Sequence, residues 1–228
     1  MRTAFLILTL LASCAPAPEP AARTGFASSA TGSIARADAP AGRPRLLPFR
    51  AMTTDAEVLL GDPDVPGQPF VIRIRELPGT IVPPHSHPVD EHFTIVSGTW
   101  HFGFGDAFDP ARLTALPTGS YGYAPRGSTM FAYAPEGAVV QVHGVGPFHI
   151  DWKHAVATLE EKPDLFRFRR SEHVASPRGE GTIRQGYASG PLVQYEIDGG
   201  PRGLFMAQEG DLRRAPSGRT PPRPRLHR

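Results

Sequence analysis

Gly79-Thr80-Ile81-Val82-Pro83-Pro84-His85-Ser86-His87-Pro88-Val89-Asp90-Glu91-His92-Phe93-Thr94-Ile95-Val96-Ser97-Gly98 is the stretch that decides the fold. On an extended strand His85 and His87, two residues apart, project to one face. The turn signal Pro88-Val89-Asp90 then returns the chain so that Glu91, on the neighbouring strand, faces the same point. Two imidazoles and a carboxylate converging from two strands make a three-ligand site with coordination positions left open. Such a set suits Fe(II), Mn(II) or Zn(II).

Outward from this stretch, residues 46–155 alternate short apolar runs with turn residues, as in an all-β sandwich or barrel. The runs are Ala56 to Leu60, Phe70 to Leu77, Phe93 to Val96, Thr99 to Phe104, Ser120 to Ala124, Thr129 to Ala134 and Ala138 to His143. Within the second, Val71, Arg73 and Arg75 fall on one face and Ile72 and Ile74 on the other, so one side of that strand meets water. Only Pro110 to Leu116 and His154 to Glu161 are expected to be helical. Residues 163–212 carry a second strand pattern with glycine turns, read either as a small SH3-like barrel or as an extension packed on the first domain.

The stretch from Gly79 to Gly98 resembles the first motif of the cupin superfamily at every fixed position: Gly79, His85, His87, Glu91 and Gly98. The resemblance runs through much of 60–150 and implies a jelly-roll, or double-stranded β-helix, barrel with a ligand site in its mouth. It also implies one divalent transition metal held by His85, His87 and Glu91, and it makes a homodimer plausible. The second motif of that family is present in Gly119, Pro125 and Gly127, but Met130 stands where the fourth metal-ligating histidine is expected. A thioether is a poor match to Fe(II), Mn(II) or Zn(II). Three outcomes follow: a site with three protein ligands, recruitment of His143 from the last strand, or loss of the metal. The first is the expectation, with His143 and Gln141 sharing a strand face toward the cavity and Met130 as a pocket or substitute ligand. His92 is expected on the outer face, and Tyr121, Tyr123 and Phe131 near the cavity mouth. Trp100, Phe102 and Phe104 read as one packed strand face.

The ends of the chain carry different chemistry. Met1-Arg2-Thr3 followed by apolar Ala4 to Leu11 reads as an export signal, too short to span a bilayer. Leu11-Ala12-Ser13-Cys14 resembles a bacterial lipobox, which makes Cys14, the only cysteine, the expected lipid attachment after removal of residues 1–13. An ordinary cleaved signal is the alternative. Residues 14–45 read as a disordered tether rich in Pro, Ala, Gly and Ser. Residues 213–228 read as a disordered tail, with six arginines and no acid. The formal net charge of +2 gives no electrostatic case for nucleic acid. The expectation is therefore an exported, lipid-anchored cupin-type protein, membrane-associated through its N-terminus and facing the periplasm or cell surface. Its activity would be of oxygenase, isomerase or lyase type on an unidentified small molecule. The alternative is a non-catalytic ligand-binding or interaction module of the envelope.

Overall fold

The computed structural model describes residues 34–36, 52 and 55–215. Ten strands build the first unit: β1 (Ile34–Arg36), β2 (Ala56–Leu60), β3 (Pro69–Glu76), β4 (Thr80–Ser86), β5 (Glu91–Phe104), β6 (Thr114–Pro117), β7 (Tyr121–Ala124), β8 (Met130–Ala134), β9 (Ala138–Val145) and β10 (Asp151–Trp152). Six more follow: β11 (Val156–Thr158), β12 (His173–Ser176), β13 (Gly179–Ser189), β14 (Leu192–Asp198), β15 (Leu204–Gln208) and β16 (Arg213–Arg214).

The long strand β5 is what closes the first unit. Its first half pairs with β7 and β9, and from Thr99 onward it pairs with β6 and β8, so one strand serves two sheet faces. The change of direction falls at a bulge between Ile95 and Ser97 followed by Gly98, whose φ is 78°. A Cβ on Gly98 would lie 2.4 Å from the Gly137 carbonyl oxygen, so only glycine lets the strands approach there. The sheet order is β1-β2-β3-β9-β5-β8-β4-β10, with every pair antiparallel except β1 and β2. The curled sheet buries Phe70, Ile72, Phe93, Ile95, Val140 and Val142, each about 1 % exposed. Phe93 meets Trp100 and Phe102 at ring-centroid distances of 5.2 and 4.8 Å. Full burial of a side chain of this size stabilises the fold by about 1.5–3 kcal/mol.

Strand β3 follows the expected alternation. Ile72 is inside, Arg73 donates from Nε to Gln141 on the outer face at 3.1 Å, and Arg75 pairs with Asp55 at 2.7 Å. Both helix expectations fail. Pro110–Arg112 is a single 3-10 turn, capped by the Asp109 side chain, and the chain at once becomes β6 against Thr99–Phe102. Val156–Thr158 is strand β11, paired with Tyr187–Ser189, because its backbone groups find the free edge of β13.

The second unit is a six-stranded antiparallel sheet in the order β15-β14-β13-β12-β16, with β11 also on β13. It has its own core, including Phe168, Val174, Ile183, Tyr195, Ile197 and Leu212. Thus residues 163–212 join β11 in an extension that owns a core and is also docked on the barrel. The dock is a backbone mimic: buried Gln194 donates from Nε2 to the Ile81 carbonyl at 2.7 Å and accepts from the Ile81 N–H at 3.1 Å. Met206 N–H donates to the Pro78 carbonyl at 2.7 Å, and Arg178 bonds the Pro135 carbonyl. Strand β4 is thereby covered on both faces.

The leader 1–13, Cys14, most of the tether 14–45 and residues 216–228 lie outside the described residues. Ile34–Arg36, inside the expected tether, pair in parallel with β2, and Arg213–Arg214, expected at the head of the tail, pair with β12.

Candidate functional site

Strand β4 places His85 and leads into His87. The pairing of β4 with β8 skips between Val82 and His85, where Pro83 and Pro84 have no N–H to give. His85 re-enters the ladder opposite Met130, and on its other side pairs with Trp152 of β10, whose ring lies 5.3 Å away. His87 stacks on Phe148 at 4.1 Å with 16° between the planes. Glu91 opens β5 opposite Ala124 of β7. In the sheet order β8 stands between β4 and β5, so the carboxylate reaches the histidines across the barrel and not from an adjacent strand.

All three groups are buried: His85 is 6 %, His87 3 % and Glu91 4 % exposed. Each histidine donates from Nδ1 to a backbone carbonyl at 2.7 Å, His85 to Pro83 and His87 to His149. This fixes the tautomer and leaves Nε2 with its lone pair, the arrangement usual for a metal-ligating imidazole. His87 Nε2 lies 3.7 Å from Glu91 Oε2, an oxygen that is buried and has no hydrogen-bond partner. Burial is the main cause that lowers His85 to a pKa of about 4, and His87 to about 3 with the neighbouring His85 adding to it. Burial alone raises Glu91 to about 8. Near neutral pH the protein by itself therefore holds an uncharged site.

The donor chemistry fits a transition metal, and the unpartnered Glu91 oxygen is what such an ion would satisfy. The positions fit in part. His87 and Glu91 stand close enough to share an ion, whereas the His85 ring is edge-on to His87 at 5.0 Å. Among the described residues no three His, Cys, Asp or Glu side chains are already closed around one point.

The three groups line a small cavity of about 50 Å³ whose other walls include Val82, Val142, Phe148, Ile150 and Trp152. A water-sized occupant needs ~10–15 Å³ on this measure, so the cavity holds only a few non-hydrogen atoms. Two further polar groups line it, from Glu76, not singled out from the sequence, and from Trp100, expected there only as a packing residue. Glu76 is 8 % exposed, and burial, with Asp55 nearby, raises it to about 7. Trp100 presents a buried indole N–H without a partner. The signal for Glu76 was present, since it continues the inward series Ile72, Ile74, Glu76.

The remaining expected site residues are elsewhere. Met130 is 1 % exposed and belongs to the packed core, not to the cavity wall. Gln141 and His143 share a face, as expected, but it is the outer one, because Val140 and Val142 occupy the inner face of β9. Nor does β9 adjoin β4: it lies between β3 and β5, while β4 lies between β8 and β10. His143 stacks on His92 at 5.4 Å, outside the barrel. Tyr121 and Tyr123 are exposed around His92, whereas Phe131 is fully buried against Phe108. Trp100 and Phe102 are buried as expected, but Phe104 is exposed.

The strand order defines the class of fold: a curled, almost wholly antiparallel β-barrel of the double-stranded β-helix kind. No protein-family model matches the chain, and no curated protein matches its sequence. Solved structures do. An uncharacterised conserved protein with a double-stranded β-helix domain from Klebsiella pneumoniae is 22 % identical over 48 % of this chain and 98 % of its own, with a TM-score of 0.36. A cupin-2 domain protein from Shewanella frigidimarina is 17 % identical over 43 % and 85 %, with a TM-score of 0.33. The polyketide cyclase RemF from Streptomyces resistomycificus is 18 % identical over 42 % and 68 %, with a TM-score of 0.35.

Proposed function

We propose that the barrel binds one divalent transition metal, Fe, Mn or Zn, through His85, His87 and Glu91, and uses it on a molecule of a few non-hydrogen atoms. The observation that carries this reading is the buried, unpartnered Glu91 Oε2 facing the Nε2 of a histidine whose Nδ1 is committed to the backbone. An orphaned buried carboxyl group is costly, and a cation is the simplest partner that removes the cost. The His85 ring, which completes the set, lies against Trp152 on the short strand β10.

When bound, such an ion supplies Lewis acidity at its open positions. The chain's own contribution is orientation and exclusion of water. The backbone carbonyls of Pro83 and His149 hold the two imidazoles in the ligating tautomer. Phe148, Ile150 and Trp152 shield the cavity, and Glu76 and the Trp100 N–H offer two polar contacts at its wall. Glu76, near neutrality between its two protonation states, is suited to hold or take up one proton. These features support an oxygenase, isomerase or lyase-type reaction on a small polar molecule. Export, with lipid at Cys14 anchoring the barrel to the envelope, is the setting we propose for it.

The absence, among the described residues, of a closed three-residue grouping favours a second reading, a metal-free barrel that holds a small polar ligand without turnover. Cobalt titration of the full chain separates the two. The metal reading expects one equivalent of Co(II) with ligand-field absorption that disappears in Glu91→Gln. No absorption in the wild type would leave the binding-module reading, and unchanged absorption in Glu91→Gln would refute the assigned ligand set.

A further inference from the structure

The outer face of the barrel carries a second cluster of ligating groups, on the far side of the sheet from the cavity. His92 of β5 and His143 of β9 are directly opposite each other in the antiparallel register. Their rings stack at 5.4 Å with 15° between the planes. His92 is held on two further sides: Tyr121 hydroxyl is hydrogen bonded to its Nδ1 at 2.6 Å, and the Tyr123 ring lies 5.0 Å away. Tyr123 in turn donates its hydroxyl to Asp90. Both histidines open onto a surface groove of about 660 Å³.

We propose that His92 and His143 form a second metal-ion site, a two-imidazole chelate on the sheet exterior that takes Cu(II) in preference to Ni(II) or Zn(II). Directly opposed side chains on antiparallel strands have Cβ atoms ~4.5–5.5 Å apart, which lets both imidazoles reach one ion. Two nitrogens about 2.0–2.1 Å from a common centre must approach to roughly 3–4 Å. Nearly parallel, partly exposed rings reach that by a modest turn about the Cβ–Cγ bond. With Nδ1 of His92 engaged by Tyr121, its Nε2 is the ligand atom, and the phenol fixes the ring's orientation. The groove admits water for the remaining positions. Arg126 also lines it and opposes a cation, while the Asp90 carboxylate beside it partly offsets that charge. Imidazole donors bind Cu(II) more tightly than Ni(II) or Zn(II) at the same geometry, which sets the expected order.

This site is independent of the barrel reading, since strand alternation turns His92 away from Glu91. The test is titration of the full chain with Cu(II), followed by electron paramagnetic resonance and calorimetry, with thermal melts to confirm folding. In Glu91→Gln, which disables the cavity, one equivalent should still bind with a two-nitrogen signature. His143→Ala and His92→Ala should each weaken it at least roughly tenfold, since removing an orienting neighbour alone costs about that much. His101→Ala, on the other part of β5, should leave it unchanged, and Tyr121→Phe should weaken it several-fold. Equal affinity in wild type, His92→Ala and His143→Ala would overturn the proposal, as would loss in only one of them, which would mark a single adventitious histidine.

Discussion

His87 Nε2 and Glu91 Oε2 face each other at 3.7 Å across the barrel, and the carboxyl oxygen has no other partner. With Glu91 raised to about 8 and His87 lowered to about 3, the pair is neutral at pH 7 and not an ion pair. Glutamine is then a close mimic of the protonated acid. Glu91→Gln should change the stability of metal-free protein at pH 7 by less than about 1.5 kcal/mol in urea unfolding, as for other volume-conserving swaps. A loss above about 3 kcal/mol would mean that the carboxyl group is structural.

The same shifts set a stability profile for metal-free protein. Glu91 and Glu76, raised to about 8 and about 7 from 4.5, keep protons in the folded chain that the unfolded chain has released. Their contribution is complete below pH 4.5 and lost as pH rises through 7 and 8. His85 and His87, lowered to about 4 and 3 from 6.5, act in the opposite sense: their contribution is complete above pH 6.5 and lost as pH falls to 4 and 3. The urea midpoint of chelator-treated protein should therefore be highest between pH 4.5 and 6.5. The decline from pH 6.5 to 8 should flatten in the Glu76→Gln, Glu91→Gln double variant, and an undiminished decline there would refute the assignment.

Gln194 is the clip that joins the two units, since its amide satisfies both backbone groups of Ile81 in a buried setting. Gln194→Ala strands a donor and an acceptor, each costing about 1–3 kcal/mol. A destabilisation of about 2–4 kcal/mol is expected by urea unfolding, with raised hydrogen exchange at Ile81. A loss below 1 kcal/mol would mean that water replaces the clip.

Gly79 sits at a φ of 88°, and a Cβ on it would fall 2.1 Å from the Met206 carbonyl oxygen. Gly67, at 76°, has open space around it. Gly79→Ala should thus cost at least about 2 kcal/mol and loosen β15 from the barrel, whereas Gly67→Ala should cost only about 1 kcal/mol. Equal melting shifts for the two variants would contradict this.

Much of the barrel was legible because its periods are plain. Val71 to Arg75 alternate as one face in and one out, and His85, His87 and Glu91 mark a strand and a turn by their spacing, while the closed barrel is what the resemblance of Gly79 to Gly98 implies. What could not be read was register, which is a tertiary property. Gln141 and His143 were correctly placed on one face, but only the pairing of β9 with β3 and β5 fixes that face as the outer one. The inward run Val140 and Val142 was the available clue. Met130 was read by motif position, and it does stand opposite His85, yet packing turns it into the core. Pro110 to Leu116 lacks the apolar periodicity that would extend a helix beyond the single turn capped by Asp109, so Thr114–Pro117 pairs with the open edge of β5. The dock through Gln194 left no local trace, since it joins residues 113 positions apart.

Metal content tests the central claim most directly. Elemental analysis of the full chain, purified without chelator and without an affinity metal, should find close to one equivalent of Fe, Mn or Zn in wild type and in His143→Ala, and almost none in His87→Ala or Glu91→Gln of confirmed fold. Wild-type protein that stays metal-free after incubation with each ion, or variants that retain the wild-type content, would contradict it.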